Sequence, residues 1–294
     1  MPNILVIGGT GMLGRPVTFQ FIKDGFKVRL LTTRLERAQQ IFGDRVEYAV
    51  GNVDDPASLE KAMNGCEYVY VNLKGGPTAI EFVRVEDLGS RNIYSAAKAA
   101  GIMKIIQITG AHAYEENSDY IYIKVKVEAE KALKASGLTY TILKPSWFYE
   151  SLPLFMQKGK SVYIGSGKSS FYFLAASDYA NIVSRCFQTK AADNKTLTIL
   201  GPEPMPIPEA MRRFMSIVHP DCTIDHLPIW LARMSATLMF NKRLKAAVKL
   251  MTFFDQHDDS EIDNKAEEAD RLFGRAPMTI EQWSRVYRKI IKGV

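Results

Sequence analysis

Between residues 120 and 126 the chain reads Tyr-Ile-Tyr-Ile-Lys-Val-Lys, which holds two overlapping phenol–ammonium pairs, Tyr120/Lys124 and Tyr122/Lys126. On a helix, a spacing of four puts both groups on one face. An ammonium held there favours the phenolate, making the phenol a usable proton donor or acceptor near neutral pH, and the same lysine can hold a ribose. A second pattern lies near the N-terminus, where the apolar run Asn3-Ile4-Leu5-Val6-Ile7 passes directly into Gly8-Gly9-Thr10-Gly11-Met12-Leu13-Gly14. Gly8 and Gly11 permit a tight turn and close approach of backbone to a pyrophosphate, while Gly14 lets a following helix pack against the strand. Free N–H groups at that helix start then face the phosphates, with Thr10, Met12 and Leu13 completing the loop.

The end of the second apolar run chooses among dinucleotides. A site for NAD usually carries an acid about 20 residues past the glycines, to bond the ribose 2′-hydroxyl. Here the chain offers Thr32-Thr33-Arg34, with Arg37 one turn on and Arg15 just past the loop. Hydroxyls and guanidinium groups suit a 2′-phosphate, so NADP(H) is the expected cofactor.

These groups need elements to position them. Over the first 145 residues short apolar runs alternate with helical patterns. The runs are 3–7, 27–31, 46–50, 68–71, 104–108 and 139–143; the helical stretches are 12–24, 34–42, 56–64, roughly 79–100 and about 119–136. Alternation at the length of βαβ units predicts an α/β fold with a doubly wound parallel sheet, the Rossmann arrangement. After Pro145 glycines punctuate a looser stretch, followed by a helix over 177–187 and a strand over 196–200. A proline-rich connector over 201–208 leads into a region that reads as helical to the end. The expected organisation is a dinucleotide-binding core over 1–150, with the late strand returning to its sheet, and a smaller, mainly helical substrate or lid region over 151–294.

Three further segments carry a resemblance: the GGTGxxG loop, the turn Gly51-Asn52-Val53-Asp54-Asp55-Pro56, and Ser136-Gly137-Leu138-Thr139-Tyr140-Thr141-Ile142-Leu143-Lys144-Pro145. With Ser177-Asp178-Tyr179-Ala180 they resemble the atypical short-chain dehydrogenase/reductases, closest to the NmrA-like and NAD(P)H-binding members. The resemblance covers about residues 3–200. It implies bound NADP(H), an oxidoreductase passing hydride to or from a small carbonyl, quinone or activated double bond, and a substrate cleft built after strands six and seven. Registered on the Ser-Gly-Leu turn, Lys126 is the family lysine and Tyr122 the catalytic tyrosine, with Tyr120/Lys124 as the alternative. Two departures are visible. Gly51-Asn52 stands where the family often has Gly-Asp, so that Asp54, beside Asn52 and Val53, takes the adenine contact. Thr109-Gly110-Ala111-His112 stands where many catalytic members place a serine, so that Thr109 becomes the group orienting the substrate carbonyl. Asn72 and Pro145, which follow or end the fourth and sixth strands, complete the cofactor lining. The missing serine also leaves open a non-catalytic NADP(H) sensor of the NmrA type.

Composition bounds the rest. Of 294 residues 47% are apolar and 24% charged, near the averages for globular domains, which excludes a mainly disordered chain. Three scattered cysteines and four histidines show no zinc spacing, so no metal is expected, and a reduced, cytoplasmic setting is. His112 reads chiefly as a loop histidine, with a proton relay as the alternative, while Trp147-Phe148-Tyr149 read equally as a wall of the substrate cleft or as ordinary core. The net charge of +6 is mostly local: residues 231–249 contain Arg233, Lys242, Arg243, Lys245 and Lys249 and no acid. That excludes nucleic acid as an expected partner and leaves peripheral membrane or protein contact through 231–249, in an assembly-factor role, as a further alternative. A monomer or homodimer is expected.

Overall fold

The computed structural model describes residues 3–292 except 77, 158 and 241, and only the backbone of Gln157, Lys242 and Arg243; those two basic side chains of the 231–249 run thus lie outside the described residues. The elements begin as strand and helix in turn: β1 (Asn3–Ile7), α1 (Gly14–Lys23), β2 (Lys27–Thr32), α2 (Leu35–Phe42), β3 (Glu47–Val50), α3 (Pro56–Met63) and β4 (Tyr68–Val71). A long helical passage follows as α4 (Ala79–Val83), a π-helical turn (Arg84–Leu88) and α5 (Gly89–Ala99), then β5 (Lys104–Ile108), α6 (Ile121–Ala135) and β6 (Tyr140–Pro145). Three short strands come next, β7 (Met156–Gln157), β8 (Lys160–Ile164) and β9 (Ser170–Tyr172). The remainder is α7 (Ala176–Gln188), β10 (Lys195–Ile199), β11 (Pro204–Pro206), α8 (Ile207–Val218), β12 (Thr223–Leu227), α9 (Ile229–Leu238), α10 (Lys242–Phe254), α11 (Glu267–Phe273) and α12 (Ile280–Lys292).

The chain divides into two compact units, residues 1–145 with 179–198, and residues 146–178 with 199–294. In the first, seven strands form one sheet in the order β10-β6-β5-β4-β1-β2-β3. Every pair from β6 to β3 is parallel. At the β10 edge Asn194 N–H bonds the Tyr140 carbonyl and Ser146 N–H bonds the Ile199 carbonyl, so that strand also runs with its neighbour. Strands buried on both faces are mostly apolar, and all five residues of β5 and four of the five in β1 are buried. The two polar members of β5 are paired, Lys104 with Asp193 and the Cys186 carbonyl, Gln107 with the Tyr94 hydroxyl. One side of the sheet is packed by Leu5, Leu59, Met63, Val69, Ile93, Ile105 and Ile142 among others. The helix starts are chemically marked: Asp55 caps α3 with Pro56 at its first position, and Thr78 and Glu81 form a reciprocal capping box on α4.

The strand order places the topological switch between β1 and β4, because the chain runs outward through β2 and β3 and then returns to β4 on the other side. Ligands of open α/β sheets bind at the carboxyl ends of the strands flanking that switch. Gly8 and Asn72 stand at those two ends.

The second unit carries a two-stranded sheet, β11 with β9, and a three-stranded one, β12-β8-β7. Its core gathers Tyr149, Phe171, Phe173, Met211, Phe214 and Trp283, and α12 lies on α8 with Phe214 and Trp283 rings 5.5 Å apart. Glu150 receives Trp283 Nε1–H and the Ala176 N–H there, and its burial pushes the carboxyl pKa up. β12 departs from the all-helical reading of the C-terminal region: Thr223–Leu227 pairs parallel with β8, Ile224 against Ser161. Trp147-Phe148-Tyr149 belong to this unit's packing, Tyr149 stacked on Phe173 and Trp147 edge-on to Phe254.

Candidate active site

The glycine loop is built for close approach. Gly8 has φ +82°, and a Cβ there would lie 1.9 Å from the Asn72 carbonyl oxygen across the switch. A Cβ on Gly14 would lie 2.1 Å from the Gly8 carbonyl, so only glycine lets α1 start against the loop. Thr18 hydroxyl donates to the Gly14 carbonyl and secures the first turn. No side chain caps α1, and no acid lies in its first turn. Arg15 N–H is donated to the Gly11 carbonyl and Pro16 has no N–H, which leaves the Gly14 N–H and the positive dipole end of α1 to face an anion. Gly11 and Met12 are exposed at this mouth, with Leu13 half-buried behind them.

At the end of β2 the Thr32 hydroxyl accepts the Arg34 N–H and shapes the turn into α2. Thr33, Arg34, Arg37 and Arg15 are all exposed, and none of these arginines is ion-paired among the described residues. Beyond β3, Asn52 accepts the Asp54 N–H, while Asp54 itself is ion-paired with Arg84 of the π-helical turn. Val53 is buried and would touch any Cβ on Gly89, which explains the glycine opening α5.

On α6 the two candidate registers separate. Tyr120 precedes the helix, and Lys124 is exposed. Burial, with Tyr122 beside it, pushes the Tyr120 phenol up to about 12, which suits it poorly for proton exchange near neutrality. Tyr122 and Lys126 share a partner instead: the Tyr122 ring packs edge-on to Phe82 at 4.6 Å, and the Lys126 ammonium sits 5.7 Å over the same ring. Lys126 Nζ is ion-paired at 3.1 Å with Glu86, a buried carboxylate that also accepts the Gly75 N–H. Glu86 is the buried partner of Lys126 that motif reading missed. Its signal was present, because Phe82, Glu86, Gly89, Ile93 and Ala97 recur at helical spacing, and an acid on such an inward face requires a buried partner.

Thr109 is placed differently from its expected role. Its hydroxyl donates to Glu130 at 2.7 Å, and Glu130 is ion-paired at 3.1 Å with Lys144, both side chains no more than 5% exposed. Lys144 also donates to the Ala113 carbonyl and lies 4.0 Å over the Tyr114 ring. The structure thus brings Tyr122 and Lys126 together around Phe82, and ties Thr109 into a separate buried network under the ends of β5 and β6. His112 is buried in the loop after β5, where its carbonyl accepts from Asn117. Among the described residues no group of three or more His, Cys, Asp or Glu could hold a metal. Cys66 and Cys186 are buried free thiols, the latter pushed up to about 12 by burial.

A doubly wound parallel sheet with an uncapped helix start behind a glycine turn, at the switch point, defines a dinucleotide-binding α/β protein, and the residues present fit that ligand. The chain belongs to the NAD(P)H-binding family, whose model matches residues 8–168. It is 30% identical over 206 residues to the photosystem II assembly factor Ycf39 of Cyanophora paradoxa, a match spanning 68% of this chain and 63% of that protein. To the NAD(P)H azoreductase of Xenophilus azovorans it is 24% identical over 204 residues, 68% of each chain. The NADPH-dependent quinone oxidoreductase of Escherichia coli, solved with NADPH, shares the fold with a TM-score of 0.72 at 21% identity, covering 97% of this chain and 99% of that one. The family membership makes this an NAD(P)H-binding protein.

Proposed function

We propose that the protein is an NADP(H)-dependent oxidoreductase acting on a small carbonyl, quinone or activated double bond. The observation that carries the reading is the Tyr122/Lys126 pair gathered on Phe82, with Lys126 anchored by Glu86, in a chain whose glycine loop is shaped for a pyrophosphate. The names of two proteins it resembles, an azoreductase and a quinone oxidoreductase, support it.

In this reading the N–H groups from Gly8 to Gly14 bind the pyrophosphate, with Thr10, Met12 and Leu13 shaping the loop. Thr33, Arg34 and Arg37 hold the 2′-phosphate. Asn52, Val53 and Asp54 flank the adenine, while Asn72 and Pro145 border the nicotinamide end. When bound, the cofactor supplies or accepts the hydride. Lys126 holds the nicotinamide ribose and favours negative charge on a neighbouring oxygen. Tyr122 exchanges a proton with the substrate oxygen, while Thr109, whose proton is donated to Glu130, ties α6 to the end of β5 instead of donating to that oxygen. Glu86 keeps the Lys126 ammonium in place.

The 2′-phosphate assignment has a direct test. Charge-assisted hydrogen bonds contribute about 1.5–3 kcal/mol, so Arg34→Ala weakens NADPH binding roughly ten- to a hundredfold while NADH binding changes little. Calorimetric titration with both cofactors measures this, and equal losses for the two would remove Arg34 from the phosphate site.

One observation favours a second reading, a cofactor sensor or assembly factor without turnover: the Thr109 hydroxyl is already donated to Glu130, and a photosystem II assembly factor is among the proteins it resembles. Assaying NADPH oxidation against a panel of quinones, azo dyes and carbonyls decides between them. The oxidoreductase reading expects turnover of at least one class; binding that discriminates NADPH from NADP⁺ with no turnover on any establishes the sensor.

A further inference from the structure

Among the described residues, five of the sixteen large apolar side chains that stand exposed fall within eleven residues of α9 and the turn after it. Trp230, Met234 and Leu238 recur every fourth residue and are 65%, 51% and 73% exposed, so they form one stripe along the helix. Met239 and Phe240 extend it, at 70% and 85%. The opposite face holds Ala232 and Ala236, both buried, which fixes the side on which α9 is packed and leaves the stripe outward. Arg233 and Thr237 line the same shallow concavity as the stripe. Contiguous exposed apolar surface of this kind marks a contact site.

Charge says what the contact is with. Residues 231–249 carry five cations and no anion. Lys245 and Lys249 are exposed on α10, which packs against α9. A protein partner would answer the apolar centre through a polar rim, which does not by itself call for cations of one sign. A nucleic acid would answer the cations and leave the Trp-Met-Leu-Phe stripe in water. Anionic headgroups over hydrocarbon answer both at once, and Trp favours that boundary.

We propose that α9 and the α9–α10 turn form a docking face for an anionic lipid bilayer. Trp230, Met234, Leu238, Met239 and Phe240 enter the headgroup–acyl boundary, while Arg233, Lys245 and Lys249 meet the lipid phosphates. No described helix is long and apolar enough to cross a membrane, so the contact is peripheral. It stands whether or not the protein turns over a substrate.

The test is flotation of the full chain with vesicles of phosphatidylcholine alone and with added phosphatidylglycerol. Binding is expected to the anionic vesicles only, weakening as salt rises. Trp230 emission shifts to the blue and is quenched by brominated acyl chains, while a Trp230→Phe variant, which keeps only Trp147 and the core Trp283, loses that signal. Leu238→Ser with Phe240→Ser lowers partitioning at least tenfold. Arg233→Glu, Lys245→Glu and Lys249→Glu together lower it on the order of a hundredfold. These substitutions are at exposed positions, and unchanged circular dichroism and NADPH affinity show that the fold is kept. No binding to anionic vesicles overturns the proposal, as does binding that ignores the apolar substitutions. So does a dimer, seen by sedimentation, that these same substitutions dissolve while vesicles go unbound, since a second copy would then be the occupant.

Discussion

Tyr122→Phe lowers kcat by about 10²–10⁴, the range that loss of a positioned proton donor produces, and leaves NADPH affinity within about twofold. The split follows from what each group touches. In the proposed function the phenol acts at the substrate oxygen, whereas the glycine loop, the arginines and Lys126 hold the cofactor. Phe also keeps the edge-on packing against Phe82, so the helix face is undisturbed. Lys126→Met should weaken both binding and turnover, because in its proposed role that ammonium serves the ribose and the developing charge together. Tyr120→Phe serves as the control and changes neither by more than about threefold, since burial holds that phenol protonated far above neutrality. Steady-state rates and cofactor titrations on the three variants check the pattern. A Tyr122→Phe enzyme with full turnover would sink the assignment.

Glu130→Leu destabilises the protein by about 3–5 kcal/mol, because it strands the Lys144 ammonium in an interior position without its carboxylate. At about 2–4 °C per kcal/mol for a unit of this size, Tm falls by roughly 6–20 °C. The Lys144 side chain is 3% exposed and cannot turn outward to water without opening the ends of β5 and β6. Removing both charges is predicted to be far milder: Glu130→Leu with Lys144→Met recovers most of the loss, since an apolar pair of similar size needs no desolvation. The double variant separates stability from function. Thr109 loses its acceptor in it, so a protein that refolds fully yet turns over poorly assigns the network to substrate positioning. Denaturant midpoints and thermal scans read the stability. A single-variant loss below about 1 kcal/mol would show that the pair is not the buried ion pair described.

How much of this was legible beforehand depends on how each residue announces itself. The parallel strands could be read from short runs dominated by Val, Ile, Leu and Tyr, because a strand covered on both faces keeps few polar side chains. The glycine loop was equally plain, since Gly8 and Gly14 are glycines for a backbone reason that any sequence with this turn must meet. β12 was not legible: Thr223-Ile224-Asp225-His226-Leu227 is a half-exposed strand at a sheet edge, and its mixed polarity reads as a loop between helices. The break of the 79–100 helix into α4, a π-helical turn and α5 was hidden as well, since Arg84–Leu88 contains no proline or glycine to mark it. Within the site, the Tyr122/Lys126 spacing was readable, but the commitment of Thr109 to Glu130 was not. That bond joins residues 21 positions apart and depends on where α6 meets the strand ends.

The return of β10 to the sheet has a consequence for how the molecule is made. β6 ends at Pro145, yet its outer neighbour, Lys195–Ile199, is translated roughly fifty residues later. At about 5–20 residues per second, a nascent chain on the ribosome spends about 3–10 s with the outer edge of β6 unpaired. Over the same interval the buried Lys104 ammonium waits for the Asp193 carboxylate and the Cys186 carbonyl that hold it in the finished protein. An open strand edge beside an uncompensated interior cation is a surface that other chains can add to. Polysomes translating this message should therefore recruit chaperones most heavily between these two strands, and release them once β10 has docked.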